Sequence, residues 1–287
     1  MRAIDTAVIL AAQLGKQLVV FWGRDIYLNC KFSDLFIASE YFDVIEERQW
    51  LGKKSLFPYL PGSKPATLFR KAMYSFTKLV FNIRQEIWFE NFEEAVSPLL
   101  QDLTPSSIAS MQEFEKKSFS HIWPLLEHLD NTGSAFICTA WRLLPVQNYA
   151  KHFVPIEALQ YKINEITGRF SHTIGVHIRR TDHISAIEHS DLQKFINAMD
   201  YELKANNITN FFLATDCQEV EAAILKMYPS KILTYSKSSY NRNTAHGIQE
   251  ALVDLYCLSK THKVLGSYMS SFSQTATEIS GIEEVTV

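Results

Sequence analysis

Gly175-Val176-His177-Ile178-Arg179-Arg180-Thr181-Asp182 is the stretch on which the reading of this chain turns. The run Thr173–Ile178 is short, largely apolar and rich in β-branched residues, so it reads as a buried strand. Two adjacent arginines stand where it ends. Charged side chains in that position are too costly to leave unpaired, so they call for an anion or a carboxylate. Arginine suits phosphate because its planar fork holds two oxygens at once. Alternation along the strand puts His177 and Arg179 on one face and Arg180 on the other. One arginine is then free to meet a ligand while its neighbour pairs internally, with Asp182 as the nearest partner. An Arg–Asp clamp that only holds the strand end is the competing reading.

Outward toward the C-terminus the pattern is regular. Helix Asp191–Lys204, strand Asn210–Ala214, helix Gln218–Met227, strand Lys231–Tyr235, helix Ala245–Ser259, strand Lys263–Leu265 and helix Ser271–Ile279 follow in turn. Such alternation predicts a parallel sheet with helices on both faces. Ligands in these sheets bind beyond the carboxyl ends of the strands, which selects His177–Asp182, Thr215-Asp216 and Gly266–Gln274. The last of these is a small polar turn, Gly266-Ser267-Tyr268-Met269-Ser270-Ser271-Phe272-Ser273-Gln274. N–H groups at a helix start beside serine hydroxyls attract anions. A plain serine cap explains the same residues equally well. Asp254 lies off the apolar stripe of its helix, beside Glu250, so solvent exposure is the expectation. It is retained because a carboxylate can accept two N–H donors from a guanine edge.

Toward the N-terminus, Ile4, Ala7, Val8, Ala11 and Leu14 predict a helix stopped at Gly15, followed by a strand at Leu18–Trp22. From Tyr41 to Tyr149 the sequence reads as irregular and aromatic-rich. It holds a loop at Pro58–Gly62 and short strands at Glu86–Glu90 and Ser134–Thr139. A helix at Ile156–Ile166 bridges to the regular region. The 287 residues suffice for two domains at about 150 residues each. With 47% apolar and 21% charged residues the chain is globular rather than disordered. Its net charge of −3 gives no general drive toward nucleic acid or anionic membrane. No apolar run approaches the roughly 18 residues that span a bilayer. Cys30, Cys138, Cys217 and Cys257 form no C-x-x-C pair, which argues against a zinc ribbon, and a chain with a core this large has little need of a disulfide framework. The opening Met1-Arg2-Ala3-Ile4-Asp5 is unlike a secretory leader, so a cytoplasmic protein is expected. The basic residues Lys53, Lys54, Lys64, Arg70 and Lys71 read first as a solvated face and second as a peripheral membrane contact at its inner side.

His-x-Arg-Arg-x-Asp at a strand end resembles the signature of GDP-fucose-dependent fucosyltransferases, above all the α1,6-fucosyltransferase and nodulation fucosyltransferase group. Phe211–Asp216 resembles that group's second strand, Asp254–Ser259 its Asp-bearing helix, and Ser270–Gln274 its final serine-rich turn. Arg2-Ala3-Ile4 and Leu28–Phe36 resemble its first helix and the segment after its second strand. The resemblance implies an α/β fold of GT-B-like architecture with two Rossmann-like domains, the N-terminal one lacking its first strand. Residues 1–168 would form the acceptor-side domain and residues 169–287 the GDP-sugar-binding domain. It implies an inverting transfer of L-fucose from GDP-β-L-fucose to a hydroxyl of an oligosaccharide or glycolipid acceptor, with no metal and no cofactor beyond the donor substrate. Carried over by position, Arg179 holds the β-phosphate and Arg180 supports the site. His177 and Asp254 contact guanosine, while Ser271, Ser273 and Gln274 line the phosphate and fucose end. Two departures stand out. His183 and Ile187 occupy positions where close members carry Lys and Glu, which leaves Glu188 as the first choice of acceptor base and Asp182 as the second. The strand and Gly-x-Gly-Asn-Arg turn that family members carry before the first helix are also expected ahead of Met1. Use of another nucleotide sugar, or a non-catalytic nucleotide-sugar-binding module, are the alternatives.

Overall fold

The computed structural model describes residues 1–24, 28–46, 75–101, 104, 106–130, 132–181, 184–241 and 243–287. The loop expected at Pro58–Gly62, Trp50, the basic residues from Lys53 to Lys71, and Asp182 with His183 lie outside the described residues. Two compact units emerge. One comprises Met1–Asp102, Glu115–Val154 and Arg242–Ala245, the other Leu103–Phe114, Pro155–Asn241 and His246–Val287.

In the first unit, helix α1 (Arg2–Gln13) leads into strand β1 (Val19–Trp22), which pairs in parallel with β2 (Asp43–Glu46). Strand β3 (Ile83–Ile87) is followed by helix α2 (Phe89–Gln101) and by α3 (Met111–Leu126), which belongs to this unit from Glu115 onward, and pairs in parallel with β4 (Ser134–Ile137). Helix α4 (Tyr149–His152) closes the unit. The described part of this region is therefore more regular than expected, and the strand expected at Glu86–Glu90 is present but displaced, ending at Ile87 because a helix opens at Phe89. Phe89, Phe92 and Val96 repeat at helical spacing, and Phe92 and Val96 are wholly buried against Ile122 and Leu126. Packing of that stripe outweighs the local alternation that suggested a strand. Strands β1 and β4 are not paired with each other among the described residues. An apolar cavity of about 730 Å³ opens there, lined by Val20, Phe21, Ala135, Ile137 and the Ala7–Leu10 face of α1.

The second unit carries the regular pattern. After helix α5 (Glu157–Thr167) come β5 (Thr173–Ile178), the short helix α6 (Ile184–His189) and α7 (Leu192–Ala205). Then follow β6 (Asn210–Thr215), α8 (Gln218–Met227), β7 (Ile232–Leu233), α9 (Ala245–Leu258), β8 (Lys263–Gly266), α10 (Ser271–Ser280) and β9 (Glu283–Thr286). The five strands form one parallel sheet in the order β7-β6-β5-β8-β9. All six residues of β5 are buried, as a strand covered on both faces requires. Ile174, Val176 and Ile178 pack on Phe195 and Met199 of α7 and Ile224 of α8. On the opposite face a Cβ at Gly175 would stand 2.9 Å from the Leu258 side chain, so only glycine lets α9 lie this close. The strand expected at Lys231–Tyr235 shrinks to two residues at the sheet edge. Strand β9, whose charged Glu283-Glu284 start hid it from pattern reading, is an addition.

Candidate functional site

The strand order determines where a ligand can lie. β5 has β6 on one side and β8 on the other, and the sense in which successive strands are added to the sheet reverses between β5 and β8, all strands remaining parallel. A crevice opens at the carboxyl ends of such a pair because the two crossovers leave on opposite sides. The segments at that point are His177–Arg180 and Gly266–Ser270.

Ser267 spans the seam. Its hydroxyl donates to the His177 carbonyl at 3.2 Å and accepts from the Arg179 N–H at 3.0 Å. Across the other seam the Arg180 N–H donates to Asp216 Oδ1 at 2.8 Å, and the Thr181 hydroxyl donates to Oδ2 at 2.7 Å. Thr215 Oγ1 donates to the Ile178 carbonyl at 2.7 Å. The backbone that carries both arginines is thus fixed on two sides. Burial alone would push the Asp216 carboxyl up. The Thr181 hydroxyl, the Arg180 N–H and the Arg179 charge outweigh it and hold Asp216 below its usual range. Arg180 turns back into the unit, where its guanidinium donates to the Ser190 carbonyl at 2.5 Å. Burial lowers its pKa, opposed by Asp191 and Asp216. Its internal partner in the described structure is a carbonyl.

His177 is buried, with its ring stacked on Phe272 at 4.7 Å between centroids and 28° between planes. Its Nδ1 shares a 3.4 Å hydrogen bond with Ser270 Oγ. Phe272 and Ser267 are the residues that motif reading did not single out. Neither leaves a sequence signal beyond membership of the turn, since their roles arise from β5 and β8 lying side by side. The turn itself is held in an uncommon conformation. Met269 has φ 55°, and the Tyr268 N–H donates to Ser190 Oγ at 2.7 Å while its hydroxyl donates to the Ile108 carbonyl at 2.8 Å. Such strain persists only where the surroundings enforce it.

The remaining expected residues are placed as follows. Ser271 and Phe272 open α10 and are partly exposed, presenting helix-start N–H groups. Ser273 and Gln274 are buried on the inner side of that helix. Ser273 Oγ donates to the Ser270 carbonyl at 3.2 Å, and Gln274 Nε2 donates to Glu278 at 3.0 Å. Glu188 is exposed on α6. Asp254 corrects its expectation: it is 6% exposed, and Glu250 one turn away is 3% exposed. The segment after β7 covers the polar side of α9, and Lys237 Nζ lies 2.7 Å from Asp254 Oδ2. Burial pushes the Asp254 carboxyl up to about 6, with Lys237 and Tyr235 opposing the rise. Among the described residues no three His, Cys, Asp or Glu side chains converge as a metal site, and no helix is long and apolar enough to cross a membrane.

No protein-family model matches the chain, and no curated protein matches it. Solved structures do. A structure of NodZ α-1,6-fucosyltransferase soaked with GDP-fucose superposes with a TM-score of 0.54 at 16% identity, over 96% of this chain and 86% of that one. Fucosyltransferase NodZ from Bradyrhizobium gives 0.53 at 16% identity, over 95% and 86%. POFUT1 in complex with GDP-fucose gives 0.51 at 13% identity, over 99% and 93%. The chain has the mixed α/β, parallel-sheet fold of these fucosyltransferases.

Proposed function

We propose that the chain is an inverting glycosyltransferase of GT-B type that moves L-fucose from GDP-β-L-fucose to a glycan hydroxyl. The observation that carries the reading is the switch in strand order between β5 and β8. There Arg179 is held by its own backbone to Ser267, beside His177 and the start of α10. In this reading residues 169–287 bind the nucleotide and residues 1–168 serve the acceptor.

The chemistry follows from where charge develops. An acceptor oxygen attacks the anomeric carbon as the bond to the β-phosphate breaks, and the product is α-linked. The electron pair goes to departing GDP, so fixed donors are worth most at that phosphate. Arg179 supplies a permanent cation there, and the N–H groups of Ser271 and Phe272 add to it without a metal. Arg180, turned inward, keeps the strand end in place. His177 and Asp254 contact guanosine, while Ser273 and Gln274 shape the floor beneath the fucose. The acceptor proton passes to Glu188, which is exposed and able to reach solvent-borne substrate, or to Asp182. The acceptor is an oligosaccharide or glycolipid on this reading. The fold likeness to NodZ and POFUT1, both solved with GDP-fucose, supports the choice of donor.

Arg179→Ala tests the proposal. Transfer from GDP-fucose should fall by at least about 10²–10³-fold, the usual cost of removing one donor to a developing anion. The unfolding temperature should stay within a few degrees. Undiminished transfer in a normally folded variant would overturn the assignment. Titration with GDP-fucose, GDP-mannose and UDP-GlcNAc separates it from use of another nucleotide sugar, and binding without turnover would identify a non-catalytic module.

A further inference from the structure

The segment between β7 and α9 is strapped down by carboxylates. Glu221 of α8 accepts from Thr234 Oγ1 at 3.0 Å and from the Tyr240 hydroxyl. Glu250 of α9 accepts the N–H groups of Ser238 at 3.1 Å and Ser239 at 3.3 Å. Between these anchors the Lys237 side chain, 3% exposed, reaches down to Asp254. Its ammonium lies 5.6 Å from the centroids of both the Tyr235 and Tyr240 rings, a cage suited to a cation. The second oxygen of Asp254, Oδ1, is buried and makes no hydrogen bond among the described residues. Tyr235 stands near it, but its hydroxyl proton goes to the Glu250 carbonyl at 2.9 Å.

A carboxylate that reads guanine uses both oxygens, one for N1–H and one for the N2 amino group. Here one oxygen holds an ammonium, and the other has only the Tyr235 hydroxyl near it and no hydrogen bond of full geometry. Removing the lysine without a substitute would leave a buried charge uncompensated, which is strongly unfavourable. Guanine carries two adjacent donors that can take the ammonium's place. Adenine, cytosine and uracil present a donor beside an acceptor, and that acceptor would face a carboxylate oxygen.

We propose that Lys237 is a specificity-determining residue, occupying the Asp254 carboxylate until a base with two adjacent N–H donors displaces it and the 234–241 strap lifts. The inference rests on the assignment of Asp254 to guanosine made above. Lys237 competes with every nucleotide, and guanine alone competes successfully.

Calorimetric titration of GDP and ADP at pH 8 into the wild-type chain, Lys237→Met and Tyr240→Phe tests this. Lys237→Met removes the competitor, so GDP should bind about ten-fold more tightly, about 1.4 kcal/mol. Its advantage over ADP should narrow. Tyr240→Phe frees the strap from Glu221 while leaving both members of the ion pair, so it should tighten GDP by a smaller factor. It decides the matter alone if Lys237→Met fails to fold. GDP binding by the wild type with no gain in either variant, or with an unchanged GDP-to-ADP ratio in Lys237→Met, would sink the inference and leave the nucleotide reading standing. No GDP binding by any of the three chains would sink both.

Discussion

Glu284 shows how a single residue couples the site to pH. It lies on β9 beside Ser273 and Glu278 of α10, and a Cβ at Gly266 would stand 2.7 Å from its Oε1. Burial pushes its carboxyl up to about 7, opposed by the Ser273 hydrogen bond and reinforced by Glu278. The folded state therefore holds this proton more tightly than the unfolded chain, whose value is 4.5. Its contribution to stability is complete below about pH 4.5 and is lost as pH rises to about 7. Asp254, raised for the same reason, acts in the same direction up to about pH 6. Glu284→Gln should flatten the fall in unfolding temperature between pH 5 and 7.5 without abolishing it. An identical slope in the variant would show that Glu284 titrates normally. At this scale the arginine pair was legible, because two charges at the end of an apolar run have few explanations. Asp254 was misread, since helical periodicity reports distance from an apolar stripe and is blind to a loop that returns over the polar side.

At the scale of elements, the β5–β8 seam is the feature on which the site depends. Ser267 both donates and accepts across it, so Ser267→Ala leaves the Arg179 N–H without its acceptor. A cost of about 1–3 kcal/mol is expected in urea unfolding, the usual penalty for an unsatisfied buried group. GDP affinity should fall with it, because Arg179 loses its fixed position. Full affinity with reduced stability would mean that the seam serves the fold alone. Gly266→Ala should be still less tolerated, since its Cβ would meet Ser273 Oγ at 2.7 Å and Ser273 Cβ at 2.8 Å. Strands β5, β6 and β8 could be read because strands covered on both faces form continuous apolar runs. Strand β7 was overextended: its apolar and aromatic residues continue past Leu233, but the chain leaves the sheet to form the strap. Strand β9 and helix α2 were missed because their signals are charged or split by Pro98.

Across the whole molecule the two units differ in how completely their strands are paired. Among the described residues β6, β5 and β8 are paired on both sides, whereas β1 and β4 are each paired on one side only and leave edges facing the apolar cavity between them. Unpaired N–H groups and few covering contacts mark a region that opens at low cost. Amide exchange in Val19–Trp22 and Ser134–Ile137 should be faster than in Thr173–Ile178 by about two orders of magnitude or more. Equal protection would mean that the edges are covered in solution. The same experiment with GDP should slow exchange around His177–Arg180 and Gly266–Ser273.

What the sequence determined by itself is the regular half of the chain: an alternation of buried strands and helices, with arginines and a serine turn at the strand ends. Period and composition suffice there because burial on both faces leaves so few residue types available. Only the tertiary structure decided that β5 lies between β6 and β8, that Ser267 and Phe272 act on Arg179 and His177, and that Lys237 holds Asp254. Those relations join residues well separated along the chain through strand order and loop return, and neither quantity has a local period to read.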